Sequence, residues 1–458
     1  MLLWGSVVAA LPFLILCIYW HPVGTHGVDW ISNWGGKYDN VSWWAQQVDW
    51  YQTTMGRYTS TGLLSTVAYW YTLSAARAVV ASMHLLLGGA VCFLLYTLYR
   101  KWLPAAVLTL VLLATYLTQL SNPYDSLYRL TGLFIYQTGL IGTLLIAGLL
   151  WRHRIIAAIP LVALTVGTNE ISLVHTGLLI FAYLAVNRAA LRSRRGMSLV
   201  AVYLLTAGVA LLAPGNFARA ALYTEGGGSQ VASAALALAS GAYLVISWVA
   251  STALLPVLVL STAFSVRTTV TKRQAGWLLA AGAILPIVSV APVLLATRGD
   301  SLPEGITDWL ILPVSLLWLL AATGFATASL PRSFTLAVSV FVVAFNLLGG
   351  LGIDRRRGDA SLGPLDRITV SSPPGQAWLQ LLKGEARRYD ESVKAQYRSA
   401  ARCETAPCTV PALVLSPNNF LYDSSYDRRI RAGGDPWFLA LVGGEPNLAI
   451  VARPAGGE

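Results

Sequence analysis

Residues 43–61, WWAQQVDWYQTTMGRYTST, set Asp49 and Arg57 among tryptophans and tyrosines. Groups of the same kind recur along the chain. Asp29 lies in HGVDW and Asp39 in GKYDN; Arg57 and Tyr58 lie in GRYTS. Tyr124, Asp125, Arg129, Tyr136 and Gln137 lie in NPYDSLYRLTGLFIYQTG, and Asn169 and Glu170 in GTNEIS. Asn216, Arg219 and Glu225 follow in APGNFARAALYTE, then Asp300, Glu304 and Asp308 in RGDSLPEGITDW. A carboxylate can take the proton from an attacking hydroxyl. Guanidinium groups grip phosphate oxygens through paired hydrogen bonds. Aromatic rings cover the apolar faces of sugars and sit well at a membrane interface. The combination suits transfer of a sugar from a lipid phosphate to a hydroxyl.

The elements that must position these groups are apolar. Of 458 residues, 55% are hydrophobic and 12% charged, about half the charge fraction of a soluble domain. Eleven runs are candidates to cross a bilayer as helices: 3–20, 76–98, 102–120, 131–150, 154–168, 171–187, 197–213, 240–264, 275–297, 307–329 and 333–352. The 154–168 run is short enough to be re-entrant. The first run has no basic flank and a poor cleavage site at Trp20-His21-Pro22, so it reads as a retained anchor.

The net charge of +11 does not imply a nucleic-acid partner, because the basic residues cluster between apolar runs. With the N-terminus inside, the cytoplasmic connections carry Arg100-Lys101, Arg152 and Arg154, Arg188 to Arg195, Arg267 to Arg273, and Arg332, and no acid. That is the positive-inside pattern; the Arg355–Arg357 cluster on the outer side runs against it. The reactive groups then gather on the outer face. Asp300 and Glu304 read as solvated loop charges. Glu170, squeezed between two apolar runs, reads equally as a functional acid or as a cap of the next helix.

An odd number of spans places residues 353–458 outside as a soluble domain. Its run 376–401 has helical spacing, and LVLSPNNFLYD and NLAIVARP read as strands, which predicts a small α/β domain. Cys403 and Cys408 suit a disulfide in an oxidising compartment; Cys17 and Cys92 read as buried thiols. No histidine occurs in the tail, and His21, His26, His84, His153 and His175 are scattered and read as structural.

These motifs, in order, resemble those of bacterial polytopic glycosyltransferases of the GT-C class, in particular a glucosyltransferase-like branch. In that branch an Asp-Asp-(Tyr/Phe) motif follows the first span; GVDW resembles it, with Asp29 at the second acid and Val28 replacing the first. DWYQTTMGRYTST resembles a Trp-Tyr…Gly-Arg-(Tyr/Phe) segment. YRLTGLFIYQ, TNEIS and APGNFAR resemble Thr-Gly-x-x-x-Tyr-Gln, Asn-Glu and Pro-Gly-Asn motifs. The similarity covers residues 1–225, is weak over the last spans, and is faint at DPWFLALVGG in the tail.

The resemblance implies an α-helical integral membrane protein of the inner membrane, with a GT-C-type transmembrane domain over residues 1–352. Interfacial helices are expected in its first periplasmic loop, residues 21–75, with residues 38–58 roofing a groove for the lipid carrier; a simple aromatic belt is the alternative. It implies a polyprenyl-phosphate-linked sugar as donor and a periplasmic glycan or protein as acceptor, with membrane lipid as the surroundings. Asp29 is the expected base, with Asp39 in reserve. Arg57, Arg129 and Arg219 are candidates for phosphate, and Tyr58, Tyr124, Tyr136, Gln137, Asn169, Glu170 and Asn216 for the substrates. Some members of the class use a divalent cation and others do not; no obligatory cofactor or metal is expected. An O-antigen polymerase or ligase, and a membrane transporter, are the rival readings. The first is disfavoured because the longest outer loop is the first; the second because ionisable residues near span centres are few.

Overall fold

A computed structural model describes residues 2–21, 42–69, 73–120, 123–224, 230–251, 257–258, 271–296, 308–325, 331–348, 351–353, 368–370, 372–400, 408–411 and 450–453. A helix lies on each of the eleven apolar runs. In chain order the helices are α1 (Leu2–Leu16), α2 (Trp43–Thr53), α3 (Tyr58–Tyr69), α4 (Leu73–Tyr99), α5 (Trp102–Thr118), α6 (Leu130–Trp151), α7 (Ile155–Val166) and α8 (Glu170–Val186). They continue as α9 (Arg194–Leu211), α10 (Pro214–Thr224), α11 (Gln230–Ser251), α12 (Lys272–Ala296), α13 (Asp308–Phe325), α14 (Arg332–Leu348), α15 (Pro373–Leu382) and α16 (Glu385–Ala400). The largest offset is α11, which starts ten residues before the expected 240–264 run.

Among the described residues four helices, α4, α6, α9 and α12, are long and apolar enough to cross a membrane. At about 1.5 Å per residue the 12-residue α7 spans well under the ~30 Å of a hydrocarbon core. Helices α4 and α6, α6 and α7, α7 and α9, and α11 to α13 in turn pack side by side, around a core in which Phe13, Val80, Leu108, Leu133 and Leu312 are buried. A second core joins Ile146, Val162, Leu173 and Leu199 where α6 to α9 meet. The outward faces are also apolar: Leu204, Leu205 and Leu212 near α9, and Trp277 and Ile284 on α12, lie exposed. A helical bundle greasy inside and out is at home in lipid, where helices satisfy their own backbone groups.

The close approaches are made by glycines. A Cβ on Gly142 of α6 would collide with the Thr165 side chain on α7, whereas a Cβ on Gly208 would meet nothing within 4 Å. Within residues 38–58, expected to roof a groove, α2 covers Trp43–Thr53 and α3 begins only at Tyr58. Gly56 lies between them, where a Cβ would collide with the Ala210 carbonyl at the end of α9.

In the tail, the expected helical run 376–401 is split by Gly384, whose φ of +67° is left-handed backbone that glycine adopts at little cost. Among the described residues, four strands of three or four residues form two pairs. Leu351–Ile353 runs antiparallel to Ile368–Val370, and Cys408–Pro411 parallel to Ile450–Arg453. LVLSPNNFLYD and Cys403 lie outside the described residues. Cys17 is buried and Cys92 half-buried, both as free thiols.

The helices α15 and α16 share the bundle's core, through Ala377, Ala386, Tyr389 and Val393. The Trp378 indole donates to the Val8 carbonyl on α1 at 2.8 Å. Asp390 of α16 is the hub of an ion cluster. Its Oδ1 meets His21 Nε2 at 2.7 Å and Arg77 Nη2 at 2.9 Å, and its Oδ2 accepts from Lys394 at 2.6 Å. Arg77 also donates to the Trp20 carbonyl, so three distant segments are tied at one carboxylate.

Two predictions follow from this packing. Gly142→Val should destabilise the bundle by about 1–3 kcal/mol through overpacking. Gly208→Ala should be neutral or stabilising by up to about 1 kcal/mol. Thermal unfolding in detergent separates them, and equal shifts would contradict the packing described. For the tail, burial pushes the Asp390 carboxyl up, but Lys394, His21 and Arg77 outweigh it and hold it below its usual value. Burial lowers His21 to about 4, so it is neutral at pH 7. Both shifts have the same sign: His21's contribution is complete above its ordinary value of 6.5 and Asp390's above 3.8, and each is lost as pH falls through the folded value. Proteolytic cutting within α16 should therefore increase in acid, and in Asp390→Asn at pH 7; an Asp390→Asn chain as resistant as wild type would refute this.

Candidate functional site

Glu170 owes its place to a tight turn between α7 and α8. Asn169 has extended backbone and caps α8, its Oδ1 accepting from Ser172 N at 2.8 Å. Its Nδ2 donates to the Ile135 carbonyl, within a π-helical turn over Leu133–Gln137 of α6. Such turns loosen the regular ladder and are frequent at functional sites. A Cβ on Gly139, one turn further along α6, would collide with Ser172, Thr168 and Asn169. Glycine therefore lets α6 lie directly against the start of α8. Glu170 is the first helical residue, where the helix dipole favours a carboxylate.

Arg57 is brought to it by a second turn. Thr59 N donates to the Gly167 carbonyl at 2.9 Å, Ser60 Oγ to the Thr168 carbonyl at 2.9 Å, and the Tyr58 hydroxyl to the Ala163 carbonyl at 2.6 Å. On the other side, Gly56 N donates to Asn216 Oδ1 at 3.1 Å, and Asn216 Nδ2 donates to the Ala210 carbonyl at 2.7 Å. The start of α3 is thus fastened to the turn before α8 and to the end of α9. Arg57 Nε and Nη2 donate to Glu170 Oε2 at 3.1 and 2.8 Å, and Nε to Oε1 at 3.2 Å. The Tyr136 hydroxyl accepts from the same guanidinium. Burial alone would lower the Arg57 pKa; Glu170 and then Tyr136 more than offset it and hold it above its ordinary value. The pair remains partly open, with side chains 16% and 28% exposed.

Beside it is a crevice of about 10 Å³, lined by Tyr136, Asn169, Ser172, His175 and Trp309 among others. His175 Nε2 lies 2.6 Å from Ser289 Oγ on α12. Next to Trp309, Asp308 is buried at the start of α13 and accepts from Ser126 Oγ at 2.6 Å. Among the described residues no three His, Cys, Asp or Glu are grouped to hold a metal.

The structure therefore brings Arg57, Tyr136 and Glu170 together. Tyr58, Asn169 and Asn216 stand around them with their polar groups engaged on backbone. Gln137 is buried away from the pair, donating to the Met83 carbonyl at 2.8 Å, with its Oε1 lacking a partner. Arg129 donates from Nε to Thr131 Oγ1 at 2.9 Å. Tyr124 lies in a second π-helical turn and Arg219 on α10, but their side chains are outside the described residues, as are Asp29 and Asp39. The buried Asp308 and the lining Trp309 were not singled out among the site residues. Their signal is an acid followed by an aromatic at the start of an apolar run.

Comparison with family models, curated proteins and solved structures finds no match.

Asn169 should carry two jobs at once. Asn169→Asp keeps an excellent cap but replaces the donor facing the Ile135 carbonyl with an acceptor. It should cost at least the ~1 kcal/mol expected of Asn169→Ala. A thermal midpoint for Asn169→Asp equal to wild type would show that the cap alone matters.

Proposed function

We propose that the chain is a membrane glycosyltransferase that moves a monosaccharide from a polyprenyl-phosphate carrier to a glycan or protein acceptor. The observation that carries this reading is the meeting of Arg57, Tyr136 and Glu170. These come from three distant motifs and stand at one end of an apolar bundle, beside a cleft lined by aromatic and polar side chains. A partly open guanidinium there is suited to an anionic headgroup. The helices α2 and α10 lie near it, with Trp44, Val48 and Phe217 exposed, as helices lying in an interface would have them.

In this reading all eleven apolar helices belong to the membrane domain, with the N-terminus cytoplasmic and the site periplasmic, in a bacterial inner membrane. Exposed Trp102, Trp151 and Trp277 sit at helix ends assigned to the cytoplasmic side, next to the basic turns. That combination of aromatics and positive charge favours the orientation.

The chemistry proposed is a single displacement. Asp29, or Asp39 in its place, takes the proton of the acceptor hydroxyl. The oxygen forms a bond to the anomeric carbon as the bond from that carbon to the phosphate oxygen breaks. The lipid phosphate leaves with the bonding electrons, and the configuration inverts. Arg57 meets the charge that develops on the phosphate, with Arg129 and Arg219 as further candidates. Tyr136 and the polar groups of the cleft orient the sugar.

The test is transfer by purified protein from radiolabelled polyprenyl-phosphate sugars to cell-envelope extract. Wild type should transfer label; Asp29→Asn and Arg57→Gln should each lower the rate by at least about 100-fold, the scale of a lost base or charge stabiliser. Transfer that survives Asp29→Asn moves the base to Asp39. No transfer by wild type, alongside an active control enzyme, would refute the reading.

A further inference from the structure

The Arg57–Glu170 pair has a feature that a phosphate site does not need: an internal acid already grips the cation. Glu170 takes the Nε and Nη2 edge of the guanidinium through paired hydrogen bonds. That fork is the one a phosphate would use. The pair is open to one side, so a ligand can reach it. A partly exposed ion pair is worth little net free energy, and a phosphate monoester carries more negative charge than a carboxylate.

Glu170 also has somewhere to go. It is the first residue of α8, where the helix dipole favours a carboxylate released from Arg57. Asn169 holds Ser172 N independently of Glu170, so the helix start does not depend on the acid keeping its grip. On the other side of Arg57, Tyr136 gives the cation a neutral partner that need not leave.

We propose that Glu170 is an internal competitor for the phosphate: it guards Arg57 until the departing lipid phosphate, a monoester, displaces it toward the start of α8. This rests on the function proposed above and names its regulation. The exchange makes the affinity of the site the difference between two anions' hold on Arg57. It would favour the doubly charged departing phosphate over the singly charged donor diester and over neutral lipids.

The experiment is equilibrium binding of a short-chain isoprenyl phosphate, and separately of inorganic phosphate, to the full-length chain in detergent. Wild type is compared with Glu170→Gln, Glu170→Asp and Arg57→Gln, each first checked for a cooperative thermal transition. Removing the competitor, or shortening its reach, should tighten binding by about tenfold, within the usual range of coupling between sites. Arg57→Gln should abolish it. If both probes respond alike, the ligand is phosphate as such; if only the isoprenyl phosphate does, it is a lipid headgroup. Unchanged or weaker binding in folded Glu170→Gln would overturn the proposal and make the pair structural. Because sugar transfer by wild type is measured separately, that outcome leaves the proposed function standing.

Discussion

The arrangement of the site depends on one set of contacts: the fastening of the Gly56–Ser60 turn to the Gly167–Asn169 turn. Its hydrogen bonds are mostly to backbone, from Thr59 N, Ser60 Oγ and Tyr58 Oη on one side to carbonyls of Gly167, Thr168 and Ala163 on the other. Helix ends carry unsatisfied carbonyls and amides, and at the edge of an apolar bundle water is scarce. Joining two helix ends so that each satisfies the other removes that penalty. It also fixes where the side chains on the two turns point, so Arg57 and Glu170 meet as a consequence of backbone bookkeeping.

Glycine makes the meeting sterically feasible. Gly56 lies against the Ala210 carbonyl, Gly139 against the polar side chains of Thr168, Asn169 and Ser172, and Gly167 against the Tyr58 ring. The motifs GRY, GTNE and TG are therefore as much about approach distance as about chemistry. Asn216 shows the same economy: one amide accepts from Gly56 and donates to the last carbonyls of α9. These polar side chains are spent on structure so that a few others can face the cleft.

The tail is tied to the bundle by a different interaction. A buried carboxylate without partners would be costly, and Asp390 is compensated by Arg77, Lys394 and the neutral His21 ring. The cost of breaking one member falls on the others. This makes α16 a part of the bundle's end and not a freely moving appendage, and it links the residue where the first long connection begins, His21, to the far end of the chain.

Much of this was legible in the sequence because lipid imposes a simple rule. Apolar runs, their lengths and the basic turns between them are read directly from the order of residues, and a helix lies on each of the eleven. The grouping of GRY, IYQ, TNE and PGN motifs was also readable as a set. Their division of labour was not. Nothing local distinguishes Tyr136, which reaches the Arg57 guanidinium, from Tyr58 or Gln137, which turn to carbonyls of neighbouring helices. That choice is made by which helix ends must satisfy each other. Likewise the resemblance implies a groove-roofing stretch over residues 38–58, but only the structure shows α2 ending at Thr53 and Gly56 set against the Ala210 carbonyl. His21 reads as an isolated histidine, and Asp390 as one charge on a polar helix. Their pairing spans 369 positions, and only the packing of α16 into the bundle's core makes it.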